Sequence, residues 1–333
     1  MINFKGSNSS PINSKYKNIS RKIFSDMNFS LLIALVIIII VLATTSPYFL
    51  TVKNLLTVGL HASVIGIMAA GLTIAMLMGL FDLSQYPVAT LAAIVMGYLV
   101  LKGVSPYIAI FVALLVGLVC GGINAFIVNV LRVNPIIGTL ATMLIFRGLC
   151  YIFTSATISL LDNPVLDYIG RGFIFGNIPF SLIILFVIML VVMYLLNITV
   201  FGKEVYAVGA NSNASFLAGL GVKKIRAIGL LISSLFAAIA GVLLGSQLGA
   251  VVPSAGVGNE LDVITAVLLG GLSLSGGKGK ITGTILGLII IVIVNNGLVL
   301  AGVQSYWHTF FRGVVLLLAV TTDSLRSARR GYI

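Results

Sequence analysis

Residues 281–299 read ITGTILGLIIIVIVNNGLV, an apolar run without a charged side chain. As an α-helix this run would rise about 28 Å, close to the ~30 Å thickness of the hydrocarbon layer of a bilayer. Runs of the same kind recur along the chain, for example at Leu31–Thr45, Ile108–Val130 and Phe180–Leu196 with its flanks. The pattern therefore predicts several membrane-spanning helices.

Composition supports the same prediction. Of the 333 residues, 59% are hydrophobic and only 8% are charged, a balance that a water-soluble core of this size would not need. Only helices or closed barrels satisfy all backbone polar groups in lipid, and strand-length segments of alternating polarity are absent. We therefore predict an all-α integral membrane protein.

The apolar runs predict about ten transmembrane helices in a single transmembrane domain, residues 28–325. A Ser-, Asn- and Lys-rich leader, residues 1–27, is expected to be disordered and cytosolic, and residues 326–333 form a basic cytosolic tail. The first apolar run is too long for a cleaved signal peptide. The predicted spans are 28–46, 56–79, 86–101, 106–130, 135–156, 179–200, 225–248, 260–275, 281–301 and 306–323.

Positive residues indicate the orientation, because they concentrate on the cytosolic side of multi-pass proteins. With ten spans and the N-terminus inside, fifteen of the twenty Lys and Arg residues fall on the cytosolic side. Lys53, Lys102 and Arg171 fall outside, and Arg147 and Arg312 lie within spans. We therefore expect both termini in the cytosol, and membrane lipid rather than nucleic acid around this chain of net charge +12.

Residues for enzymatic chemistry are missing from the predicted spans, which hold no nucleophile with a base, metal cluster or paired carboxylates. Residues 271–280 are similar to a phosphate-binding loop. However, Lys278 comes one place too late, and Ile281 follows Lys280 where the loop needs Ser or Thr. Cys120 and Cys150 lie in apolar runs and indicate neither a disulfide nor a metal site. We expect no catalytic residue, metal or cofactor on this chain.

A polar interruption, Asp82-Leu83-Ser84-Gln85, separates two apolar stretches. One interpretation is a cytosolic helix end capped by Asp82 or Ser84. The other is irregular backbone that lines a cavity within the membrane. Asp82 is also the only candidate for the midplane ionisable group that an ion-coupled carrier uses.

Polar side chains embedded in or next to the apolar runs need hydrogen-bond partners, because an unpaired amide in lipid costs free energy. They either join helices to one another or line a path for a hydroxyl-rich solute. The candidate path residues are Asp82, Ser84, Gln85, Asn124, Asn134, Thr139, Gln247, Asn295 and Asn296.

Acidic residues collect on the predicted outer side. Asp162 and Asp167 lie in the longest outer connection, about residues 157–178, and Glu260 and Asp262 lie at or just inside the outer face. These four are candidates for docking a soluble protein, and an ordinary solvated loop explains the connection equally well.

The connection 201–226 on the predicted cytosolic side is longer than a turn requires and predicts its own short helix. Asn211 or Asn213 can cap its start, and Gly219 or Gly221 can end it. Phe216, Leu217 and Leu220 would form an apolar edge. Either this edge docks into a groove of a partner, or the helix lies on lipid headgroups.

Four stretches carry a resemblance to a known family. They are 201–222, 259–262 with 268–277, 295–298 with 302–303, and 134–140 with 147–149. They resemble permeases of the ribose-type, binding-protein-dependent sugar importers, a group of ATP-binding-cassette (ABC) transporters. The family usually continues Asp82–Ser84 with Val-Gly, whereas this chain has Gln85-Tyr86-Pro87. If this break faces the transport path, solute preference is expected to differ from ribose.

The resemblance implies a type II ABC importer-like permease fold in a bacterial cytoplasmic (inner) membrane. It implies a second permease subunit, identical or different, two cytosolic ATPase subunits that bind ATP and Mg, and a soluble binding protein that delivers a monosaccharide. The rival is an ion-coupled secondary sugar carrier or facilitator acting alone. If the chain is an ABC permease, as the resemblance implies, ATPase coupling is expected at Glu204, Tyr206, Gly209, Asn211, Asn213, Phe216, Leu217, Gly219, Leu220 and Gly221.

Overall fold

The structure is a computed structural model that describes residues 27–160, 163–174, 176 and 178–328. Residues 1–26 of the predicted leader and 329–333 of the predicted basic tail therefore lie outside the described residues. The helices are α1 (Met27–Thr45), α2 (Val52–Leu77), α3 (Gln85–Leu101), α4 (Pro106–Asn129), α5 (Pro135–Phe153), α6 (Pro164–Arg171), α7 (Phe180–Asn197), α8 (Val200–Ala210), α9 (Ser212–Leu217), α10 (Val222–Leu248), α11 (Glu260–Leu269), α12 (Ile281–Leu300) and α13 (Ser305–Ala328).

The strands of the described residues are two residues long each, so the predicted helical architecture is confirmed. β1 (Ile158–Ser159) pairs antiparallel with β4 (Ala250–Val251), and Ile158 lies opposite Val251. β2 (Phe173–Ile174) pairs antiparallel with β3 (Ile178–Pro179). Both pairs lie in connections between helices.

Six of the described helices are long and apolar enough to cross a membrane, namely α2, α4, α5, α7, α10 and α12. The predicted count of ten spans is therefore not confirmed. The apolar parts of α1 and α3, Phe29–Thr45 and Gln85–Leu101, are shorter. The span predicted at 260–275 is wrong in length, because α11 ends at Leu269. Its ten residues rise only about 15 Å, half of the hydrocarbon layer.

Helix α10 is the centre of the bundle and packs against α2, α3 and α4. Small residues allow these backbones to approach closely, as is usual between helices in lipid. A Cβ atom at Gly71 of α2 would lie 3.0 Å from Ser233 Cα, and one at Gly121 of α4 would lie 3.0 Å from the Leu230 carbonyl oxygen. A Cβ atom at Gly241 would overlap the Ala89 carbonyl of α3.

The two ends of α10, about 40 Å apart by its length, mark two different ends of the molecule. The Asn129 side chain at the end of α4 donates to the carbonyl of Lys223, near the start of α10, at 3.3 Å. At the other end, the Arg171 side chain of α6 donates to the Gln247 carbonyl at 2.9 Å. We call these the α9 end and the strand end, because α8 and α9 lead into the first, and β1 and β4 flank the second.

Candidate translocation and coupling sites

The chain between α2 and α3 turns back into the bundle. Gly79 adopts a left-handed conformation (φ 73°) that favours glycine. Asp82 is 1% exposed, and Gln85 Nε2 donates to the Met68 carbonyl at 3.1 Å, about 14 Å back along α2 from its end. The interpretation of this break as a capped cytosolic helix end is wrong, because it lies within the bundle and Ser84 makes no side-chain cap bond.

Asp82 accepts hydrogen bonds within the break through one carboxylate oxygen and from α10 through the other. Oδ1 accepts from the Ser84 amide at 3.0 Å and from the Ser84 hydroxyl at 2.7 Å. Oδ2 accepts from the Ser233 hydroxyl at 2.8 Å, and Gln85 Nε2 donates to Ser233 Oγ at 2.9 Å. A buried carboxylate needs such donors to offset the loss of water. The Asp82 carboxylate is thus satisfied within the protein.

Helices α4 and α5 extend this network. Asn124 donates to Ser84 Oγ at 2.8 Å and accepts from the Thr142 hydroxyl at 2.7 Å. Thr139 Oγ1 donates to the Phe81 carbonyl at 2.8 Å and accepts from the Leu83 amide at 3.3 Å. The central polar cluster comprises Asp82, Ser84, Gln85, Asn124, Thr139, Thr142 and Ser233.

The structure thus brings together five of the predicted path residues, namely Asp82, Ser84, Gln85, Asn124 and Thr139. The candidate path set lacked Ser233, which joins Asp82 to Gln85. Ser233 and Ser234 are adjacent hydroxyls in one apolar run, and the sequence alone does not show which of them has a partner outside its helix.

The remaining predicted path residues lie elsewhere. Asn134 is exposed and caps α5, accepting from the Ile136 amide at 3.0 Å. Gln247 donates to Ser63 Oγ at 3.0 Å, and Asn296 exchanges hydrogen bonds with Asn54 at 2.8 and 2.9 Å. Asn295 donates to Asp262 Oδ2 at 3.2 Å. These four contacts fasten helix ends or pairs of helices and do not extend the central polar cluster.

Two ion pairs gather at the first turn of α11, where the helix N-terminus favours negative charge. Asp262 Oδ1 lies 2.9 Å from Arg312 Nε of α13. Glu260 Oε1 lies 3.9 Å from Arg147 Nη2 of α5. Asp262 is 3% exposed, so its carboxylate faces Arg312 and is not available at a surface for protein docking. The prediction that Asp262 docks a soluble protein is wrong for this reason.

The other predicted docking residues differ in placement. Asp167 is exposed on α6, where its carboxylate lies 3.5 Å from Arg171 Nη1. Asp162 lies outside the described residues. Among the described residues of these four, Asp167 is thus the one with an exposed side chain, at the strand end.

The predicted coupling segment forms two helices instead of one, α8 and α9. Asn211 caps α9 by accepting from the Ala214 amide at 2.9 Å, whereas Asn213 is exposed and makes no cap bond. Phe216 is 71% and Leu217 is 85% exposed, and Gly219 reverses the chain with φ 86°. Leu220 is half-buried, so the predicted apolar edge is reduced to Phe216 and Leu217. Gly221 then precedes α10 as its N-cap residue.

Tyr206 and Gly209 of α8 face the rest of this chain. The Tyr206 hydroxyl donates to the Gly279 carbonyl at 3.0 Å, and burial raises the pKa of its phenol. A Cβ atom at Gly209 would lie 2.6 Å from the Gly277 amide nitrogen. That amide donates to the Leu77 carbonyl at 2.8 Å. Among the described residues no ion pair includes Glu204.

Residues 54–320 match the family described as "Branched-chain amino acid transport system / permease component". The chain is 36% identical to the ribose import permease protein of Bacillus subtilis (strain 168), over 89% of this chain and 92% of the relative. It is 38% identical to the ribose import permease protein of Escherichia coli (strain K12), over 88% and 92%.

The L-arabinose transport system permease protein of Escherichia coli (strain K12) is 34% identical, over 89% of this chain and 90% of the relative. No solved structure matches the chain. These relatives confirm the resemblance to ribose-type permeases. The chain belongs to this family of transport-system permease components and, within it, to the ribose-type sugar permeases.

Proposed function

We propose that this chain is the membrane-spanning permease subunit of an ABC importer that moves a monosaccharide of the pentose or hexose type into the cytosol. One observation carries the proposal: 36–38% identity to ribose import permeases over about nine-tenths of the chain. Relatives named for D-allose and L-arabinose point to the same class of solute. A relative of 32% identity is named a probable ABC transporter permease.

The energy source of such an importer is a separate pair of cytosolic ATPase subunits, which bind ATP and Mg. The exposed side chains of Phe216 and Leu217 at the tip of α9 support this partner, because an apolar edge outside the membrane favours a complementary groove. α9 is anchored through α8 to the 270–280 loop and to the end of α2. Movement of α9 with the ATPases would therefore act directly on the bundle.

The α9 end is proposed to be cytosolic, with both termini on the same side of a bacterial cytoplasmic membrane. The positive side chains support this orientation. Lys102 follows α3 and Arg171 ends α6, both at the strand end. The α9 end collects Arg132, Lys203, Lys223, Lys224, Arg226, Lys278 and Lys280.

The solute is proposed to enter at the strand end from a soluble binding protein and to pass between this subunit and a second permease, identical or different. Asp167 and the neighbouring outer connection are candidates for docking that protein. The central polar cluster borders the path and holds α3, α4, α5 and α10 together. Two states of the bundle, outward-open and inward-open, would exchange as ATP binds and is hydrolysed.

An ion-coupled carrier acting alone is the rival function. Its central requirement is an ionisable group at the midplane that changes its proton or cation occupancy. Asp82 is the nearest candidate, but both of its oxygens accept hydrogen bonds from serines. This satisfied environment favours a structural role for Asp82.

Reconstitution tests the proposal. The permease is purified from its host with its bound partners and placed in liposomes with ATP inside and the binding protein outside. We expect vanadate-sensitive uptake of D-ribose, D-allose or L-arabinose, whereas leucine, included because of the family description, is not taken up. Uptake by the isolated chain under a proton or sodium gradient without ATPase subunits would overturn the proposal.

A further inference from the structure

The ion pair between Arg147 and Glu260 lies inside the membrane-spanning region. Arg147 is twelve residues into α5, about 18 Å from the start of that helix and about 9 Å from its end. That end leads to β1, so the pair lies in the half of the bundle nearer the strand end. Charged side chains at this depth are costly and usually mark a functional site.

The two side chains are close but incompletely bonded. Arg147 Nη1 donates to the Ala255 carbonyl at 2.8 Å, whereas Nη2 lies 3.9 Å from Glu260 Oε1, too far for a hydrogen bond. Arg147 Nη2 and Glu260 Oε2 are both buried atoms without a hydrogen-bond partner among the described residues. The site therefore holds one donor and one acceptor that have no partner among the described residues.

The second ion pair provides an internal comparison. Arg312 and Asp262 approach to 2.9 Å, their side chains are 18% and 4% exposed, and Asn295 donates to the other oxygen of Asp262. Arg147 and Glu260 are farther apart, and their side chains remain 14% and 19% exposed. We call the Arg312–Asp262 pair closed, because both carboxylate oxygens of Asp262 have a partner at short range. We call the Arg147–Glu260 pair open, because Arg147 Nη2 and Glu260 Oε2 have no hydrogen-bond partner among the described residues.

A hydroxyl group fits the open pair chemically. It can accept from the guanidinium and donate to the carboxylate at the same time. The pair is charge-balanced, so it favours a neutral solute over an anion or a cation. Two adjacent hydroxyls of a sugar present this alternation of donor and acceptor repeatedly.

Tyr86 positions the loop that completes the site. A Cβ atom at Gly256 would overlap the Tyr86 ring, and Gly256 has φ 73°. The ring is thus pressed against the backbone next to Ala255, whose carbonyl also accepts from Thr90 Oγ1 at 3.0 Å. Tyr86 belongs to the segment in which this chain departs from ribose-type permeases.

We propose that Arg147 and Glu260 form a hydroxyl-binding site of the translocation path, which takes a neutral polyhydroxylated solute, with Tyr86 as a positioning residue for the Ala255 loop. The inference rests on the proposed function and adds to it the two residues that contact the solute. It places the contact at the first turn of α11, away from the central polar cluster.

The test uses the complete transporter in liposomes with its binding protein and D-ribose, D-allose and L-arabinose as probes. Sugar uptake and binding-protein-stimulated ATP hydrolysis are measured together. Glu260→Gln removes the charged acceptor. The number of sugar molecules transported per ATP hydrolysed should fall by about tenfold, because the loss of one hydrogen bond to a charged group has an effect of this size. Stimulated ATP hydrolysis should remain.

Arg147→Lys keeps the charge and removes the planar pair of donors. It should change the ratio among the three sugars, and it serves as the milder variant if Glu260→Gln does not assemble. Asp262→Asn is the matched control at the closed pair, and it should lower thermal stability without changing the sugar ratio.

If the wild-type transporter takes up sugar, two results would overturn this inference but not the proposed function. One is a wild-type sugar ratio and coupling in both Glu260→Gln and Arg147→Lys. The other is a parallel loss of stability, ATP hydrolysis and uptake in both variants, which would make the pair purely structural. A wild-type transporter that moves none of the sugars would overturn the proposed function and this inference with it.

Discussion

Gly209 and Leu77 meet backbone to backbone at the α9 end of the bundle. A Cβ atom on Gly209 would overlap the Leu77 carbonyl oxygen, and the same oxygen accepts a hydrogen bond from the Gly277 amide at 2.8 Å. Three distant parts of the chain, α2, α8 and the 270–280 loop, therefore share one contact that tolerates only glycine at position 209.

Gly209→Ala is expected to destabilise the chain by about 1–3 kcal/mol, because the added methyl group must push α8 away from α2. The matched control is Gly122→Ala on α4, where a Cβ atom meets nothing within 4 Å and alanine favours the helix. Thermal unfolding of the two detergent-solubilised variants checks this difference. Equal stability of both variants would contradict the backbone contact.

Ser233→Ala and Ser234→Ala compare two neighbouring buried hydroxyls. Ser233 donates to Asp82 and accepts from Gln85, whereas Ser234 Oγ has no partner among the described residues. Removal of Ser233 Oγ leaves a buried carboxylate short of a donor and should cost about 1–3 kcal/mol. Ser234→Ala should change stability by less than about 0.5 kcal/mol. Unfolding curves that rank the two in the opposite order would refute the assignment.

Arg312→Gln and Arg171→Gln remove the same charge from a buried and an exposed ion pair. The first leaves Asp262 uncompensated inside the bundle and should cost about 3–5 kcal/mol. The second breaks a pair whose side chains are 42% and 53% exposed, worth at most about 1 kcal/mol. Denaturant titration of both proteins measures the difference, and a similar midpoint for the two would disprove the structural role of Arg312.

Phe216→Asp is expected to prevent association with the ATPase subunits while membrane insertion stays intact, because a charge replaces an exposed apolar contact. Ser212→Asp adds the same charge at the start of α9, where a negative charge stabilises the helix N-terminus. This variant should leave association unchanged. Copurification of the ATPase with each tagged variant provides the readout. Retention of the ATPase by Phe216→Asp would remove α9 from the coupling interface.

Lys102→Cys and Lys203→Cys test the orientation. Both lysines are exposed, and the native Cys120 and Cys150 are buried, which keeps background labelling low. A membrane-impermeant maleimide should label Lys102→Cys in intact cells and Lys203→Cys only after permeabilisation. The reverse pattern would place the α9 end outside the cell.

The length of the apolar runs was sufficient to predict most helix positions, because each long run of apolar residues has one low-energy form in lipid. It failed at 260–275, since a buried half-helix followed by a loop has the same composition as a complete span. Gly270 and Gly271 end the helix there, and they resemble the many glycines that serve close packing elsewhere.

The central polar cluster was predictable in part. Asp82, Ser84 and Gln85 stand out as a polar break, and Asn124 stands out in an apolar run. Pairing was not predictable, because Asp82 and Ser233 are 151 residues apart and only the folded bundle makes them neighbours. For the same reason the partners of Glu260 and Asp262 could not be read from the sequence, and both acids were assigned to a surface.

α11 is bounded by two glycines in the left-handed region, Gly258 (φ 84°) before it and Gly271 (φ 83°) after it. The first turn of α11 carries the carboxylates of Glu260 and Asp262, and the loop after its last turn leads to Gly277, which donates to the Leu77 carbonyl and lies against Gly209. The backbone contact beside α9 and the two ion pairs in the opposite half of the bundle are therefore joined by one short helix and one loop, with no full-length helix between them.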